Sequence, residues 1–221
     1  ILESWIYAML FRSINPTMPI LAFVGDHGTG KSTALRNIGK VLFGENYNVS
    51  APIDNSDDFE AAAVNMPFLA LDNMDSFRKW LFDSIATAAT GGVVTQRMLY
   101  ENGIVLNLPI VSCIGIASRN LNLKREDVAS RMLIIRLAPF GTKLSDRNIL
   151  RAIHADRNNI LSELSHEIQE ILQLLADTAS EEYRVVGRMA DFEEFSMRIA
   201  QALGASPKEM EKYLGIMRKA Q

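Results

Sequence analysis

A glycine-rich segment contains the residues with the clearest chemical meaning in this sequence. The eight residues from Gly25 to Ser32 match the pattern G-x-x-x-x-G-K-[ST] in full. An apolar run over 20–24 comes directly before them, and a segment with helical periodicity over 31–43 follows. In such a strand–loop–helix unit, backbone N–H groups surround phosphate oxygens, while the lysine and the hydroxyl reach the terminal phosphates and a metal ion. The pattern therefore predicts a P-loop that binds ATP and Mg²⁺.

The residues of this segment have separate expected roles. Lys31 is expected to reach the β- and γ-phosphates, and Ser32 is expected to ligate Mg²⁺. The other predicted nucleotide contacts lie in the loop and the first helical turn: Gly25, Asp26, His27, Gly28, Thr29, Gly30 and Thr33. An Asn-Lys-x-Asp segment, which would recognise guanine, does not occur in the sequence. This favours ATP over GTP.

A second apolar run ends in an acidic residue. The run over 68–71 reads as a buried strand, and Asp72 follows it directly. A P-loop requires a carboxylate at the end of a neighbouring strand to hold the metal ion, so Asp72 is the predicted second metal ligand. Asn73 stands where many P-loop ATPases have glutamate, and its amide orients water but cannot accept a proton. Asp75 is therefore either the missing base or an N-cap of the next helix.

Polar residues also accompany the two later strands. The apolar run over 110–117 leads into Ser118-Arg119-Asn120, where Asn120 is predicted to contact the γ-phosphate or the attacking water. Arg131 directly precedes a final apolar run. From that position it is expected to reach the ATP of a neighbouring subunit and to stabilise the charge of the transition state. The alternative for this arginine is a solvated or salt-bridged side chain.

The elements that position these residues alternate between apolar runs and amphipathic segments. This alternation predicts an α/β fold, a parallel sheet core flanked by helices. We expect an N-terminal helix over 1–15 that ends a preceding region, an ATPase core over 16–142, and a helical lid over 143–221, where strand-like runs stop. Within the core, Asn102-Gly103 between two apolar runs predicts an inserted β-hairpin over 93–108.

The bulk composition is that of an ordinary globular protein. Of 221 residues, 48% are hydrophobic and 22% are charged, and the formal net charge is -3. This charge gives no global attraction to nucleic acid, so any DNA contact must be local. No apolar run approaches the roughly 18 residues that cross a membrane, and the single cysteine, Cys113, gives no disulfide framework. We therefore expect a cytoplasmic protein without a membrane partner.

The order of the motifs resembles that of AAA+ ATPases, and within them the superfamily 3 helicases. The shared features are the P-loop, the Leu71-Asp72-Asn73 segment, the hairpin, and the segments Ser118-Arg119-Asn120 and Ala129-Ser130-Arg131. The stretches over 90–100 and 188–192 further resemble primase-helicase-like ATP-binding proteins encoded by phages and other mobile elements. This resemblance implies a P-loop NTPase fold and a homo-oligomer in the form of a hexameric ring.

The resemblance also implies residue roles. Asn120 would be the sensor-1 residue, Arg131 the arginine finger, and Arg188 a sensor-2 arginine that contacts the nucleotide. The hairpin would be a pore loop with three candidate DNA contacts: Arg97, Tyr100 and Asn102. The tip of this hairpin departs from a typical phosphate-tracking loop, because Arg97 is the basic residue near it and Glu101 makes it acidic.

These observations predict an ATP-hydrolysing, ring-forming helicase or DNA translocase domain of a phage or mobile-element replication protein. Its expected partners are single-stranded or forked DNA and other replication proteins. The alternative is an ATP-dependent switch or helicase loader with weak hydrolysis, which Asn73 and the acidic hairpin tip favour. A small-molecule kinase is disfavoured, because no arginine-rich lid segment follows the predicted sheet.

Overall fold

The computed structural model describes residues 1–75, 78–97, 105–121, 125–139, 141, 144–178 and 183–221. Helices and strands occur within these ranges in the order α1 (Leu2–Leu10), β1 (Ile20–Val24), α2 (Lys31–Phe43), α3 (Ser56–Asn65), β2 (Phe68–Leu71), α4 (Lys79–Ala89), β3 (Val93–Arg97), β4 (Val105–Pro109), β5 (Cys113–Ser118), α5 (Glu126–Ala129), β6 (Met132–Arg136), α6 (Asp146–Asp177), α7 (Ala190–Ala202) and α8 (Pro207–Ala220). Among the helices in these ranges, none combines the length and the apolar character that crossing a bilayer requires.

Four strands form one parallel sheet in the order β2-β5-β1-β6. Every residue of β1, β2 and β5 is buried, as expected for strands that are covered on both faces. Because the four strands run in the same direction, the segments that follow Val24, Leu71 and Ser118 emerge together, and we call this side the loop edge. The side where β1 and β6 begin, at Ile20 and Met132, is called the opposite edge.

A glycine in β5 sets the position of α2 on the sheet. A Cβ atom at Gly115 would lie 2.7 Å from Leu35 Cδ2 and 3.0 Å from the ring of Phe68. Leu35 is fully buried. Its side chain therefore fills space that any larger residue in place of Gly115 would need, and α2 packs closely above the strand.

Helix α1 is anchored directly to the start of β1. Trp5 is fully buried, its indole N–H donates to Pro19 O at 2.7 Å, and its ring packs edge-on against Phe68 with centroids 5.7 Å apart. The helix ends at Leu10, earlier than the predicted segment over 1–15, because the chain turns after this residue toward Pro16. The N-terminal helix thus packs into the same hydrophobic cluster as the sheet.

The helices that follow the sheet also contribute to this cluster. Ile171 of α6, Phe192 of α7 and Leu214 of α8 are fully buried in it. Helix α6 runs along α2, where Arg157 Nε donates to Val41 O at 2.9 Å. Helix α7 packs against α1, and α8 packs against α7 and β6. The segment predicted as a lid is therefore helical and shares one hydrophobic core with the sheet.

The position of α7 and α8 differs from that of a lid over the loop edge. Thr17 Oγ1, before β1, donates to Asp191 Oδ2 at 2.8 Å, and Gln221 Nε2 donates to Met132 O at 2.7 Å. Both contacts lie at the opposite edge. Sequence periodicity shows which face of a helix is apolar but not which surface it covers, and this explains the difference.

Strands β3 and β4 pair antiparallel as a separate two-stranded sheet, in the segment where the sequence predicts a hairpin. Arg97 pairs with Val105. A two-residue turn at Asn102-Gly103 would pair Arg97 with Leu108 in an unbroken ladder, which is three residues away from the observed pairing. Asn102 and Gly103 themselves lie outside the described residues.

Candidate functional site

The loop from Gly25 to Gly30 connects the end of β1 with the start of α2 at the loop edge. Gly28 and Gly30 have φ angles of +74° and +81°, a left-handed conformation that glycine adopts without strain. At Gly25, a Cβ atom would lie 2.5 Å from Leu137 O. The backbone geometry therefore requires glycine at these positions, and the loop directs the N terminus of α2 toward a cavity.

Lys31 folds back over this loop. Its Nζ donates to Gly25 O at 2.7 Å and to Asp26 O at 2.8 Å. The loop itself is braced by Thr29, which is fully buried and donates through Oγ1 to Asp26 O at 2.9 Å. The ammonium group is thus held beside the N–H groups at the start of α2, where an anion would meet both.

The predicted metal ligands lie in direct contact. Ser32 Oγ donates to Asp72 Oδ1 at 2.5 Å, and Asn73 N donates to the same oxygen at 2.8 Å. Asp72 follows β2, and the strand β5 lies between β2 and β1. Mg²⁺ prefers oxygen ligands and is usually held by one or two carboxylates together with substrate phosphates. The hydroxyl and the carboxylate are therefore a chemically suitable pair for this ion.

A cavity of about 340 Å³ lies against these side chains. This volume falls within the range of small-molecule sites. The lining contains loop residues, the hydrogen-bonded pair Ser32 and Asp72, and two further charged side chains; its members are His27, Gly28, Gly30, Lys31, Ser32, Thr33, Asp72, Asn73, Asp75 and Arg119. No described residue that follows Arg119 in the sequence lines the cavity, so the helices α6, α7 and α8 do not close it.

Arg119 occupies the place that sequence reasoning gave to Asn120. Arg119 Nη1 lies 3.0 Å from His27 Nε2, and Arg119 Nε lies 3.6 Å from Asp75 Oδ2. Asn120 does not line the cavity, and its carbonyl oxygen accepts a hydrogen bond from Ser118 Oγ at 3.1 Å. The sequence signal for Arg119 is its position directly after the last strand residue, Ser118.

Asp75 is held beside the cavity as an ionised carboxylate. Arg119 N donates to its Oδ1 at 2.6 Å, and Ser118 Oγ donates to the same atom at 3.1 Å. The Arg119 N–H lowers the pKa of Asp75 most, against a smaller opposing effect of burial, and the charges of Arg119 and Lys31 lower it further. Helix α4 begins at Lys79, so Asp75 is not its N-cap.

Arg131 and Arg188 lie away from this cavity, near the opposite edge. Arg131 O accepts from Ile20 N at 2.9 Å, and Arg131 Nη1 donates to Asp127 O at 3.2 Å. Its Nε is buried and has no partner among the described residues. Partial burial lowers the pKa of Arg131, and the nearby charge of Arg188 lowers it further. Neither arginine is among the described residues that line the cavity, and the sensor-2 role of Arg188 stays a prediction.

The candidate DNA contacts are described only in part. Tyr100 and Asn102 lie outside the described residues. Arg97 ends β3, where its backbone pairs with Val105 of β4. The hairpin exposes apolar side chains at Val93 and Leu106. Its contact with DNA remains a prediction.

The fold and the site together define an α/β protein whose parallel sheet presents a glycine-rich loop, a lysine and a serine–aspartate pair at one edge. A family model of the actinomycete integrative conjugative element replication protein matches residues 2–213. The chain belongs to this family and is a replication protein of a mobile genetic element. The comparison with curated proteins gives no match. The match to this family model confirms the predicted relation to mobile-element replication.

Proposed function

We propose that this replication protein binds Mg²⁺ and ATP in the loop-edge cavity and hydrolyses ATP to move or unwind DNA. The observation that carries the proposal is the 2.5 Å hydrogen bond between Ser32 Oγ and Asp72 Oδ1 beside Lys31. A glycine-rich turn without a phosphate-binding role has no need for a carboxylate from another strand at its hydroxyl. A P-loop needs both groups there, because they hold the metal ion.

The residues present fit a magnesium–triphosphate group. In the proposal, Lys31 and the N–H groups that begin α2 bind phosphate oxygens, while Ser32 and Asp72 hold Mg²⁺. When bound, Mg²⁺ neutralises negative charge on the phosphates and so favours attack at the terminal phosphorus. Arg119 supplies a further positive charge on the wall of the same cavity.

Asn73 and Asp75 are the candidates for positioning the attacking water. Asn73 is exposed, and its φ angle of +55° turns the backbone just after Asp72. Its amide orients water, whereas Asp75, as an ionised carboxylate, both orients water and accepts a proton. We assign the base role to Asp75 because it lines the cavity and no other carboxylate among the described lining residues is free of the metal role.

Arg131 acts on a neighbouring subunit in this proposal. It lies near the opposite edge beside Arg188, and the AAA+ resemblance implies a hexameric ring in which such a side chain reaches the next ATP. Two close arginines repel each other until an anion arrives, which favours binding of a phosphate group between subunits.

The central test compares Lys31→Ala with Lys40→Ala, a lysine on the same helix that does not line the cavity. We expect Lys31→Ala to abolish binding of ATP in titration calorimetry and to abolish phosphate release, and Lys40→Ala to retain both. Equal ATP affinity of the two variants would refute the proposal. Circular dichroism of both variants controls for folding.

A mixing experiment tests the role in trans. Arg131→Ala should bind ATP but not hydrolyse it, and Lys31→Ala should do neither. A mixture restores hydrolysis if the intact Arg131 of one subunit serves the intact P-loop of the other. Hydrolysis by the Arg131→Ala protein alone at the wild-type rate would exclude the role.

A switch or helicase loader with weak hydrolysis is the second candidate. It is favoured by Asn73 after Asp72 and by the two hydrogen bonds that engage the Asp75 carboxylate. The measurement that separates the two functions is steady phosphate release with and without single-stranded DNA. A several-fold stimulation supports the motor, whereas ATP-dependent assembly without turnover supports the switch.

A further inference from the structure

Helices α1, α2 and α6 enclose an apolar groove with a volume of about 800 Å³. Its lining includes apolar side chains from all three helices, among them Ile6, Ile38, Leu42, Ile153 and Leu164. Leu144, just before α6, also lines the groove and exposes 67% of its surface. Contiguous apolar surface of this kind on a globular protein is typical of a binding site.

The charged groups of this groove are all acidic. Glu3, Glu163 and Glu167 line it, and no lysine, arginine or histidine among the described residues does. The hydroxyl of Tyr7 donates to Glu167 Oε2. Burial raises the pKa of Glu167, and the charges of Glu3 and Glu170 raise it further, as expected where carboxylates gather without a cation. The groove is therefore suited to an apolar segment that carries basic side chains.

The outer face of α8 has this composition. Tyr213 and Ile216 each expose 55% of their surface, while Leu214 and Met217 bury the inner face in the core. The outer face also carries three exposed lysines and one exposed glutamate: Lys208, Lys212, Lys219 and Glu209. Helical spacing places Lys212, Ile216 and Lys219 on one side of the helix. The face has a net positive charge, and this charge and its apolar residues both complement the groove.

The lengths of the two surfaces also match. Helix α8 has 14 residues and is about 21 Å long at the usual rise per residue. The part of α6 that lines the groove, from Ile149 to Glu167, extends over about 29 Å by the same measure. The helix therefore fits along the groove without extending beyond it.

We propose that α8 of one copy of this chain binds in the groove of a second copy, with Tyr213 and Ile216 on the apolar floor and the lysines against the acidic rim. The two surfaces are different patches of the molecule, because α8 packs on α7 and β6 whereas the groove is formed by α1, α2 and α6. Such head-to-tail contacts form a ring when the rotation between copies closes. The inference goes beyond ATP hydrolysis and requires no nucleotide.

Cysteine cross-linking tests the contact directly. Ala152 is exposed and lines the groove, and the native Cys113 is buried and does not interfere. A mixture of Ala152→Cys and Ile216→Cys proteins should form a disulfide-linked dimer under mild oxidation, and neither protein alone should. The matched control is Ser162→Cys, exposed on the same helix outside the groove lining. Equal yields with Ser162→Cys, or no cross-link in the mixture, would overturn the proposal.

Charge reversal provides an independent measurement. Lys212→Glu with Lys219→Glu should weaken self-association by about tenfold or more, since like charges then face each other. Glu163→Lys in the partner protein should recover much of that loss, as measured by sedimentation. Unchanged association in the reversed variant would contradict the docking. Repeating the cross-link with Lys31→Ala separates the two proposals, because that variant should lose ATP binding and retain the contact.

Discussion

The hydrogen bond between Ser32 and Asp72 predicts a measurable energetic coupling between two residues that lie 40 positions apart. The Oγ–Oδ1 distance is 2.5 Å, and the site is only partly buried. A hydrogen bond to a charged group contributes about 1.5–3 kcal/mol in favourable cases, and solvent access reduces this, so we expect a coupling of about 1–2 kcal/mol. The perturbation is the pair Ser32→Ala and Asp72→Ala, made singly and together.

Two assays on the same four proteins follow the coupling. Urea denaturation in EDTA gives the free energies of unfolding, from which the double-mutant cycle yields the pairwise term. Titration with ATP in the presence of Mg²⁺ should show each single variant weakened by about tenfold to a hundredfold, since each removes a metal ligand. Additive effects on unfolding would refute the contact, and an unchanged magnesium-dependent ATP affinity of Asp72→Ala would refute the metal role.

Three further predictions concern other groups. The bonds to Asp75 lower its pKa in the folded state, so they stabilise the protein above the usual carboxyl pKa of 3.8, and this stability is lost as the pH falls through the folded pKa. Asp75→Asn should therefore reduce the loss of stability at acid pH. An unchanged dependence of stability on acid pH would contradict this. Burial raises the pKa of Cys113 to about 12, so the thiol should react with a disulfide reagent at pH 8 only after unfolding; fast labelling of the folded protein would disprove it. Phe192→Ala should cost about 3–5 kcal/mol in one cooperative urea transition, because Phe192 shares the core of the sheet; two separate transitions would show that α7 folds independently.

The closeness of the glycine-rich loop and Asp72 follows from rules that operate on short segments. Both follow continuous apolar runs, and the carboxyl ends of parallel strands lie at one edge of a sheet. The identity of the third strand-end residue did not follow, because an apolar run shows where a strand lies but not which of the polar residues after it turns toward the cavity. The N–H of Arg119 donates to Asp75 Oδ1 and its Nη1 lies beside His27 Nε2, and these contacts hold Arg119 rather than Asn120 at the cavity.

The hydrophobic periodicity of the sequence could not predict how the C-terminal helices are arranged. The apolar stripes of α6 and α7 correctly indicate helices with one buried face, but the partners of that face are distant in sequence. Phe195 of α7 packs against Phe11 with ring centroids 5.5 Å apart, and Thr17 binds Asp191. Such contacts depend on the whole tertiary fold, so periodicity alone does not show which surface these helices cover.

The anchoring of Trp5 gives the protein an internal optical reporter. Of the two tryptophans, Trp5 is fully buried and bonded to Pro19 O directly before β1, whereas Trp80 is only partly buried on α4. In a Trp80→Phe background, fluorescence would come from the α1–β1 junction alone. A shift of its emission to longer wavelength on addition of nucleotide would mean that water reaches the indole, and hence that events at the loop edge move α1 at the far end of the same strand.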